Sequence, residues 1–353
     1  MAKGRNCIGL DIGSSAVKLC VLKEAKKGLQ LQTFDHITLP PETIVDGALM
    51  NSTVVTDAIA QLLDRNKVRQ KEVALSVSGN TVIIKKITLP LMTQEELEES
   101  IQWEAEQYIP FDIQDVYIGF EVLAPRTDQG QMDVVLVAAK REMINDYTSA
   151  CHEAGLKPVV VDVDVFCMQN MYEVNYGYHS GETVVLLDIG NSVVSMNVVS
   201  DGMSVFTRDL SIGGSDITEE IQKQLNITYQ EAEMYKMGGA PGGGADQVLP
   251  HEVESIIQDK AEDMAHEIQR SLDFYTATAA NNRIDRIVAS GGTAAIPSLI
   301  RTISRISGIP AEVANPFRNI SYDERQFSPD KIQEWAPIAA VSVGLALRRS
   351  NER

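Results

Sequence analysis

The chain has 353 residues, 44% of them hydrophobic, so it can bury more than one small core, and its length predicts about two domains. Its formal net charge of −18 argues against nucleic acid as a partner and against direct binding to an anionic membrane surface. The sequence has no secretory leader and no apolar run long enough to span a bilayer. Its four cysteines, Cys7, Cys20, Cys151 and Cys167, have no CxxC spacing. We therefore expect a cytoplasmic protein with reduced, buried cysteines.

The first predicted element is a strand, turn and returning strand that occurs twice. Ile8-Gly9-Leu10-Asp11-Ile12-Gly13-Ser14-Ser15-Ala16-Val17-Lys18 is matched 177 positions later by Val185-Leu186-Leu187-Asp188-Ile189-Gly190-Asn191-Ser192-Val193-Val194-Ser195. Each copy has an apolar run, an Asp, a Gly with two small polar residues, and a β-branched return. This pattern predicts a hairpin in each half of a duplicated chain.

Between the two copies, strand and helix signals alternate, which is typical of an α/β fold. Thr93 and Glu96 have capping-box spacing, and the helix that follows should place Leu97, Ile101, Ala105 and Tyr108 on one face before Pro110. Residues 82–87 and 134–138 are predicted strands.

Four helices are predicted after the second copy. They run from Gly213 through Leu225, from Thr228 to Gly238, over about 252–280, and from Pro337 through Arg349. The glycine-rich segment 238–244 lacks the Gly-Lys-Ser/Thr ending of a P-loop and is predicted to be a surface loop. An apolar strand at 287–290 leads into Gly291, Gly292 and Thr293, a turn on which a base or ribose can lie.

The two hairpin turns have the composition of a phosphate site. Gly13 and Gly190 allow close backbone approach, and the N–H groups of Ser14, Ser15, Asn191 and Ser192 can surround an anion. Asp11 and Asp188 would repel phosphate, so we expect them to hold a hydrated Mg²⁺ between them, with Lys18 reaching a phosphate. One Asp-x-Gly alone is typical of a plain hairpin turn; the repeat favours a functional interpretation.

This order of elements resembles the actin, Hsp70 and sugar-kinase superfamily of ATP-binding folds. Within it, Gly213-Gly214-Ser215-Asp216-Ile217-Thr218 and Ala232-Glu233-Met234-Tyr235-Lys236 resemble the FtsA and PilM branch. There the glutamate and lysine contact the nucleoside, which implies that role for Glu233 and Lys236. The alternative is an ordinary i,i+3 surface pair.

Further stretches resemble the PilM family of type IV pilus machines over nearly the whole chain. They are Ser76-Val77-Ser78-Gly79, Leu89-Pro90-Leu91-Met92, Trp103-Glu104-Ala105-Glu106-Gln107-Tyr108-Ile109-Pro110-Phe111, Val137-Ala138-Ala139-Lys140-Arg141-Glu142 and Val161-Asp162-Val163-Asp164.

The resemblance implies an α/β, actin-like ATPase fold of two duplicated ribonuclease-H-like domains with inserted sub-domains, as in FtsA. The expected divisions are sub-domain 1A at 1–78, an inserted 1C at 79–158, a return to 1A at 159–182, 2A at 183–215, 2B at 216–283, 2A again at 284–336, and a closing helix of 1A at 337–353.

The family resemblance also implies the ligands and partners. We expect ATP or ADP with Mg²⁺, and the N-terminal cytoplasmic peptide of PilN bound beside the insertion, which would recruit the chain to the inner face of the inner membrane. Pilus motor ATPases and self-association are further expected contacts. An exposed strand edge in the region of the strands at 82–87 and 134–138 could accept the peptide, with apolar pockets from Trp103, Tyr108 and Phe111. Aromatic residues at helical spacing are otherwise typical of a core.

Catalysis is less clearly encoded. Asp162 or Asp164 could contact the hydration shell of the ion, and no water-orienting residue is identifiable, although Gln169 is near. We therefore expect tight nucleotide binding with slow or negligible turnover. Two alternatives are a small-molecule kinase, for which no acceptor pocket is recognisable, and an FtsA-like membrane-tethered filament. FtsA ends in a linker and an amphipathic helix, whereas here 348–353 follow the closing helix, which favours the scaffold.

Overall fold

The computed structural model describes residues 6–26, 28–126, 129–239, 250–279 and 283–350, with the backbone alone at 124–126. The first half forms, in chain order, β1 (Ile8–Ile12), β2 (Ala16–Ala25), β3 (Gly28–Thr38), β4 (Ile44–Val45), β5 (Ala48–Leu49), α1 (Ser52–Arg65), β6 (Glu72–Val77), β7 (Val82–Pro90), α2 (Gln94–Ala105), β8 (Val116–Arg126), β9 (Gln131–Lys140), α3 (Arg141–Glu153), β10 (Lys157–Val163) and α4 (Asp164–Tyr176). The second half forms β11 (Thr183–Ile189), β12 (Val194–Ser200), β13 (Met203–Leu210), α5 (Gly214–Leu225), α6 (Tyr229–Lys236), α7 (His251–Thr278), β14 (Arg286–Ser290), α8 (Pro297–Ser307), β15 (Ala311–Val313), α9 (Pro329–Trp335) and α10 (Ala340–Ala346).

The duplication seen in the sequence reappears as two sheets of the same design. The first sheet has the strand order β10-β6-β1-β2-β3 and the second has the order β13-β12-β11-β14-β15. In each sheet the repeated Asp strand pairs antiparallel with its return strand and parallel with a later strand. The registers Asp11 with Lys18 and Asp188 with Ser195 are equivalent, so the two predicted hairpins are present.

Three large hydrophobic clusters and one small one support the two sheets. One covers the outer face of the first sheet with α1 and α3, and another covers the second sheet with α5, α7 and α8. The third lies between the sheets and includes Met168 and Met171 of α4 and Val343 and Ala346 of α10. Because α4 and α10 share this central layer, they fix the spacing between the halves.

Residues 79–158 contain a third, three-stranded sheet with the order β7-β9-β8. Helix α2 covers one face, with Leu97, Ile101 and Ala105 buried against Val134, Leu136 and Ala138, and the predicted Thr93–Glu96 capping box is present. Strand β9 is central, so the strand predicted at 134–138 provides no edge, whereas β7 and β8 do. The sub-domain boundaries stay a prediction.

One sequence-based detail of α2 is wrong, and the alternative core position of Trp103 is excluded. Tyr108 does not share its buried face, because the helix ends at Ala105 and the Tyr108 side chain is exposed. Trp103 is 76% exposed, so it does not belong to the core. Phe111 is partly buried beneath Lys140, whose Nζ lies 4.9 Å from the ring centroid.

The predicted helix ends in the second half agree with the structure except at the last helix. Residues 336–338 form a 3₁₀ turn containing Pro337, and α10 ends at Ala346 rather than at Arg349. At the end of α10 the carbonyl groups bond to the N-terminal segment instead of to a further helical turn. Asn6 Nδ2 donates to Ala346 O, and Cys7 N donates to Arg348 O. The predicted glycine-rich loop lies, beyond Gly239, outside the described residues.

Cys7, Cys20, Cys151 and Cys167 are all buried, as predicted. Within the described ranges, no helix has both the length and the apolar character needed to cross a membrane.

The central layer requires glycine at two positions. A Cβ added at Gly344 of α10 would overlap the backbone carbonyl of Cys167 in α4, and one at Gly9 of β1 would overlap that of Ser342. Helix α10 therefore touches both neighbours backbone to backbone, and a methyl group at either position has no room.

We expect Gly344→Ala to lower the free energy of unfolding by about 3 kcal/mol, which is the upper end of the range for overpacked cores. The cost is high because the new methyl group must displace the backbone of Cys167 rather than a side chain. Urea unfolding followed by circular dichroism measures this. Gly119→Ala is the matched control, since nothing lies within 4 Å of a Cβ there and its backbone is ordinary strand. Equal stability of the two variants would contradict the account of the central layer.

Candidate functional site

The two hairpin turns face each other across a cleft between the halves. Each turn is closed in the same way, by Gly13 N donating to Ala16 O at 3.0 Å and by Gly190 N donating to Val193 O at 2.9 Å. The turns meet where Ser192 Oγ donates to Ser14 Oγ at 3.0 Å. They border a cavity of about 760 Å³, within the size range of small-molecule sites.

Most of the residues predicted from sequence line this cavity. They are Asp11, Gly13, Ser14, Ser15, Lys18, Asp164, Asp188, Gly190, Asn191, Ser192, Glu233, Lys236, Gly291, Gly292 and Thr293. Gly213, Gly214 and Asp162 are predicted site residues that do not line it.

Gly213 and Gly214 lie directly behind the second hairpin. Gly214 N donates to Gly190 O at 3.0 Å, and Ser215 N donates to Asn191 O at 2.8 Å. A Cβ at Gly213 would overlap the Asn191 backbone, and one at Gly214 would overlap Thr293 Oγ1. These glycines therefore let the N-terminus of α5 pack against the turn, which is a supporting role rather than a lining role.

Gly291 has the clearest conformational need for glycine in the cavity. Its φ is 93°, in the left-handed region, and a Cβ there would overlap the backbone of Ile189. Thr293 continues this turn and donates from Oγ1 to Gly190 O at 2.8 Å. The turn after β14 is thus fixed to the second hairpin.

Three carboxylates and one lysine form the centre of the cleft. Lys18 Nζ donates to Asp11 Oδ2 at 2.8 Å, and Ser290 Oγ donates to Asp188 Oδ1 at 3.0 Å. Burial and the nearby Asp11 charge raise the pKa of Asp164 to about 7. Burial also raises the pKa of Asp188, with Lys18 opposing the shift and Asp11 adding to it.

Lys18 is the only basic side chain that contacts this group among the described residues. Burial by itself lowers the pKa of Lys18, but Asp11, helped by Asp188 and Asp164, more than offsets this and raises it. The ammonium therefore stays charged, and it lies against a carboxylate rather than standing free. One ammonium cannot neutralise three carboxylates, so ionisation of Asp164 and Asp188 beside Asp11 leaves the centre with a deficit of positive charge, which their raised pKa values reflect.

A divalent cation would balance this deficit of positive charge if the residues around it can hold one. No three His, Cys, Asp or Glu side chains of the described ranges are grouped closely enough to ligate a metal directly. A hydrated ion needs few direct ligands, and its charge would balance the carboxylates. The donor set therefore fits Mg²⁺ held through water by Asp11 and Asp188.

The structure separates the two aspartates proposed for catalysis. Asp164 opens α4 and lines the cavity, whereas Asp162 of β10 forms an ion pair with Arg348 at 3.1 Å outside it. Gln169 also lies elsewhere, donating to Gly202 O at 3.1 Å and accepting from Asn197 Nδ2 at 3.1 Å. Only Asp164 of these three is placed to contact a ligand in the cleft.

Glu233 and Lys236 are not an ordinary surface pair. Lys236 is 7% exposed and donates to Gly214 O at 3.1 Å and to Thr218 Oγ1 at 2.8 Å, besides its ion pair with Glu233. Burial lowers the pKa of Lys236, and Glu233 opposes that shift. Thr218 also donates to Glu233, whose side chain stays 30% exposed, so Lys236 and Thr218 orient a carboxylate that faces the cleft.

Several cavity residues were missed by sequence reasoning. Ser78, Gly79 and Asn80 follow β6, and Tyr147 and Tyr229 come from α3 and α6. The parallel pairing of β6 with β1 brings its end to the hairpin, so the Ser-Val-Ser-Gly run after a buried strand was a usable signal. The two tyrosines carried no such signal, because their places depend on helix packing.

Comparison with known proteins identifies the family. A model of the type IV pilus assembly protein PilM matches residues 9–350. The chain belongs to the PilM family. A solved PilM–PilN type IV pilus biogenesis complex contains a chain with TM-score 0.87 and 28% identity, with 99% of each chain covered. The predicted family is therefore confirmed.

More distant relatives agree on the fold. The ethanolamine utilization protein EutJ of Carboxydothermus hydrogenoformans has TM-score 0.59 and 14% identity, with 97% of this chain and 89% of that one covered. FtsA of Staphylococcus epidermidis is 22% identical over 258 residues, covering 65% of this chain and 53% of FtsA, so the match spans about half of that relative. FtsA of Streptococcus pneumoniae is 22% identical, with 90% and 77% covered. With the PilM-family match, the two equivalent sheets confirm the predicted duplicated actin-like ATPase fold.

The raised pKa of Asp164 gives a prediction about pH. The folded chain keeps a proton on Asp164 up to about pH 7, whereas the unfolded chain loses it near 4. Since the folded state then binds more protons, this group makes stability fall as pH rises from about 4 to 7. We expect Asp164→Asn to remove much of that fall, leaving the variant roughly 2–4 kcal/mol more stable than wild type at pH 8.

Urea unfolding across this pH range, in EDTA and without nucleotide, measures the difference. Asp162→Asn is the control, because that carboxylate is ion-paired outside the cleft. Parallel stability curves for wild type and Asp164→Asn would show that Asp164 does not titrate in this way.

Proposed function

We propose that this chain is an actin-like scaffold of the type IV pilus machinery that binds Mg·ATP in its cleft and holds the N-terminal peptide of PilN. The observation that carries the nucleotide part is the pair of equivalent hairpins meeting at Ser14 and Ser192 around an under-neutralised acidic centre. The partner part is supported by the family and by the similar chain in a PilM–PilN complex.

The phosphate end of the nucleotide would lie between the hairpins. Ser14, Ser15, Asn191 and Ser192 line the cavity, and their backbone N–H groups would surround an anion there. Asp11 and Asp188 would hold Mg²⁺ through water, and the ion supplies charge neutralisation at the phosphates. Lys18, oriented by Asp11, is placed beside the same end.

The nucleoside end would lie between α6 and the turn after β14. Glu233 offers a carboxylate oxygen that can accept from ribose hydroxyls, and Gly291 and Gly292 present a surface without side chains. Lys236 is engaged by Gly214, Thr218 and Glu233, so we assign it to orienting Glu233 rather than to direct contact.

Turnover is proposed to be slow. Of the two aspartates predicted for catalysis, only Asp164 lines the cavity, and with a pKa of about 7 it can accept a proton from water in only part of the molecules at neutral pH. Bound nucleotide would then act mainly as a structural ligand that stabilises the closed cleft.

The PilN peptide is proposed to add to the free edge of β7. Among the described strands β7 pairs with β9 alone, and its first residue, Val82, packs against the hydrophobic core of the first half. A peptide along β7 would thus lie between the insertion and the first half, where main-chain pairing is available.

Recruitment to the inner membrane would follow from this contact. Binding of motor ATPases and self-association remain predictions from the resemblance.

The nucleotide proposal predicts that Asp11→Ala combined with Asp188→Ala weakens Mg·ATP binding roughly a hundredfold, the upper range for losing support at a metal. The reason is that both carboxylates that hold the hydrated ion are lost. Isothermal titration calorimetry with and without Mg²⁺ measures this, and Asp162→Asn should bind like wild type. Unchanged affinity in the double variant would refute the assignment of this pair.

The partner proposal predicts that a synthetic PilN N-terminal peptide binds with micromolar affinity. We expect Ile84→Asp to weaken this affinity by about tenfold or more. Ile84 lies in β7, partly exposed, so a charge there opposes an apolar peptide face. The matched control is Val122→Asp, which makes the same kind of change on the opposite edge strand β8. Fluorescence anisotropy with a labelled peptide distinguishes them, and equal weakening by both would argue against the β7 edge.

A further inference from the structure

A second set of contacts joins the two halves beside the hairpins. Asp209 of β13, in the second half, accepts through Oδ2 from the backbone N–H of Gly79 at 2.8 Å. Next to it, Asn80 Nδ2 approaches Ser211 Oγ at 3.4 Å. Gly79, Asn80 and Ser211 all line the cavity, so these bonds lie across the cleft rather than behind it.

Asp209 is held for this contact by its own sheet. It lies opposite Ser195 of β12 in the strand register, and Ser195 is buried and lines the same cavity. Burial raises the pKa of Asp209, and the hydrogen bonds from Ser195 and Gly79 oppose that shift. A carboxylate in such a place depends on its donors, so breaking the Gly79 bond leaves a poorly compensated charge.

The other side of the contact is a turn. Gly79 has φ of 89°, in the left-handed region, and no atom lies within 4 Å of where its Cβ would be. One residue separates Gly79 from Val77, the last residue of β6, and two residues separate it from Val82, the first residue of β7. The bond therefore fixes a short connection, with space around it, to the opposite half.

We propose that Asp209 is a positioning residue that gates nucleotide exchange: its bond to Gly79 closes the cleft and must break before a nucleotide enters or leaves. This inference rests on the proposed nucleotide function. A gate slows entry and release together, whereas a direct ligand contact affects release alone. The two rate constants therefore separate a gate from a ligand contact.

The test uses the full chain, Mg²⁺ and an ATP analogue carrying a methylanthraniloyl fluorophore, followed by stopped flow. Asp209→Ala should raise both the association and the dissociation rate constants, dissociation by about tenfold, the effect of losing one charge-assisted hydrogen bond. Asp209→Asn keeps an acceptor oxygen and should stay within about threefold of wild type. Asp285→Ala is the matched control, because it removes a carboxylate bond to the Thr183 N–H inside the second half.

The outcomes distinguish the two levels of the proposal. If wild type shows no saturable binding of the analogue, the nucleotide function itself fails. If wild type binds and Asp209→Ala exchanges at the wild-type rates, the gate is refuted while the nucleotide function stands. A change in dissociation alone, or an Asp209→Asn variant as fast as Asp209→Ala, also overturns the gate.

A second measurement covers the case in which Asp209→Ala does not fold. Asn80→Cys with Ser211→Cys, joined by a short bis-maleimide after loading with the analogue, should slow its release about tenfold or more. The four native cysteines are buried, so labelling is directed to the new pair. Release at the uncross-linked rate from the joined protein would refute the gate.

Discussion

The backbone contacts of α10 in the central layer determine how the two halves meet. Helix α10 lies against β1 at Gly9 and against α4 at Gly344, so close that neither position has room for a methyl group. With α4 it fills the space between two sheets of identical order. Because each Asp-Gly hairpin is part of a sheet, the spacing set by this layer also sets the spacing of the hairpins. The site is thus a consequence of how the duplicated halves pack.

Bringing the hairpins together has an electrostatic cost. Each copy contributes an aspartate, Asp11 or Asp188, and α4 adds Asp164 at its first turn, while Lys18 is the cation that contacts the group. The raised pKa values of Asp164 and Asp188 express this cost, since burial and like charge disfavour ionisation. Packing of the central layer holds the group together, so the strain is local and the surrounding core stabilises it.

The parts of the fold that depend on local pattern were predictable from sequence. The hairpins, the capping box at Thr93, and the starts of α5 and α6 follow from spacing and turn chemistry, and the repeat predicted one hairpin in each half. The sequence left two positions open for Trp103, a peptide pocket or the core, because helical spacing alone does not show which side of the helix is buried; its exposure excludes the core.

The predicted site divides in the same way. Residues in the repeated turns could be predicted because Gly and small polar residues are typical of a turn whose backbone approaches an anion closely. Asp162 and Asp164 are two positions apart and looked equivalent, yet the strand ends between them, so one pairs with Arg348 and the other enters the cleft. Asp209 and Tyr147 gave no signal at all, since their places follow from contacts between distant segments. Side-chain direction at an element boundary is a tertiary property.

These features together explain why the closed cleft and its ligand would be interdependent. With the hairpins in contact at Ser14 and Ser192, a closed cleft without a cation holds its acidic groups together at the cost that their raised pKa values express. A nucleotide arriving with Mg²⁺ brings both the positive charge and an anion for the backbone N–H groups. Binding would therefore favour the closed arrangement by mass action. The connection at Gly79 and Asn80 is tied to the second half and leads directly into β7, so closure also fixes the base of the insertion. The interdependence thus extends from the cleft to the edge proposed for the partner, through a single short turn.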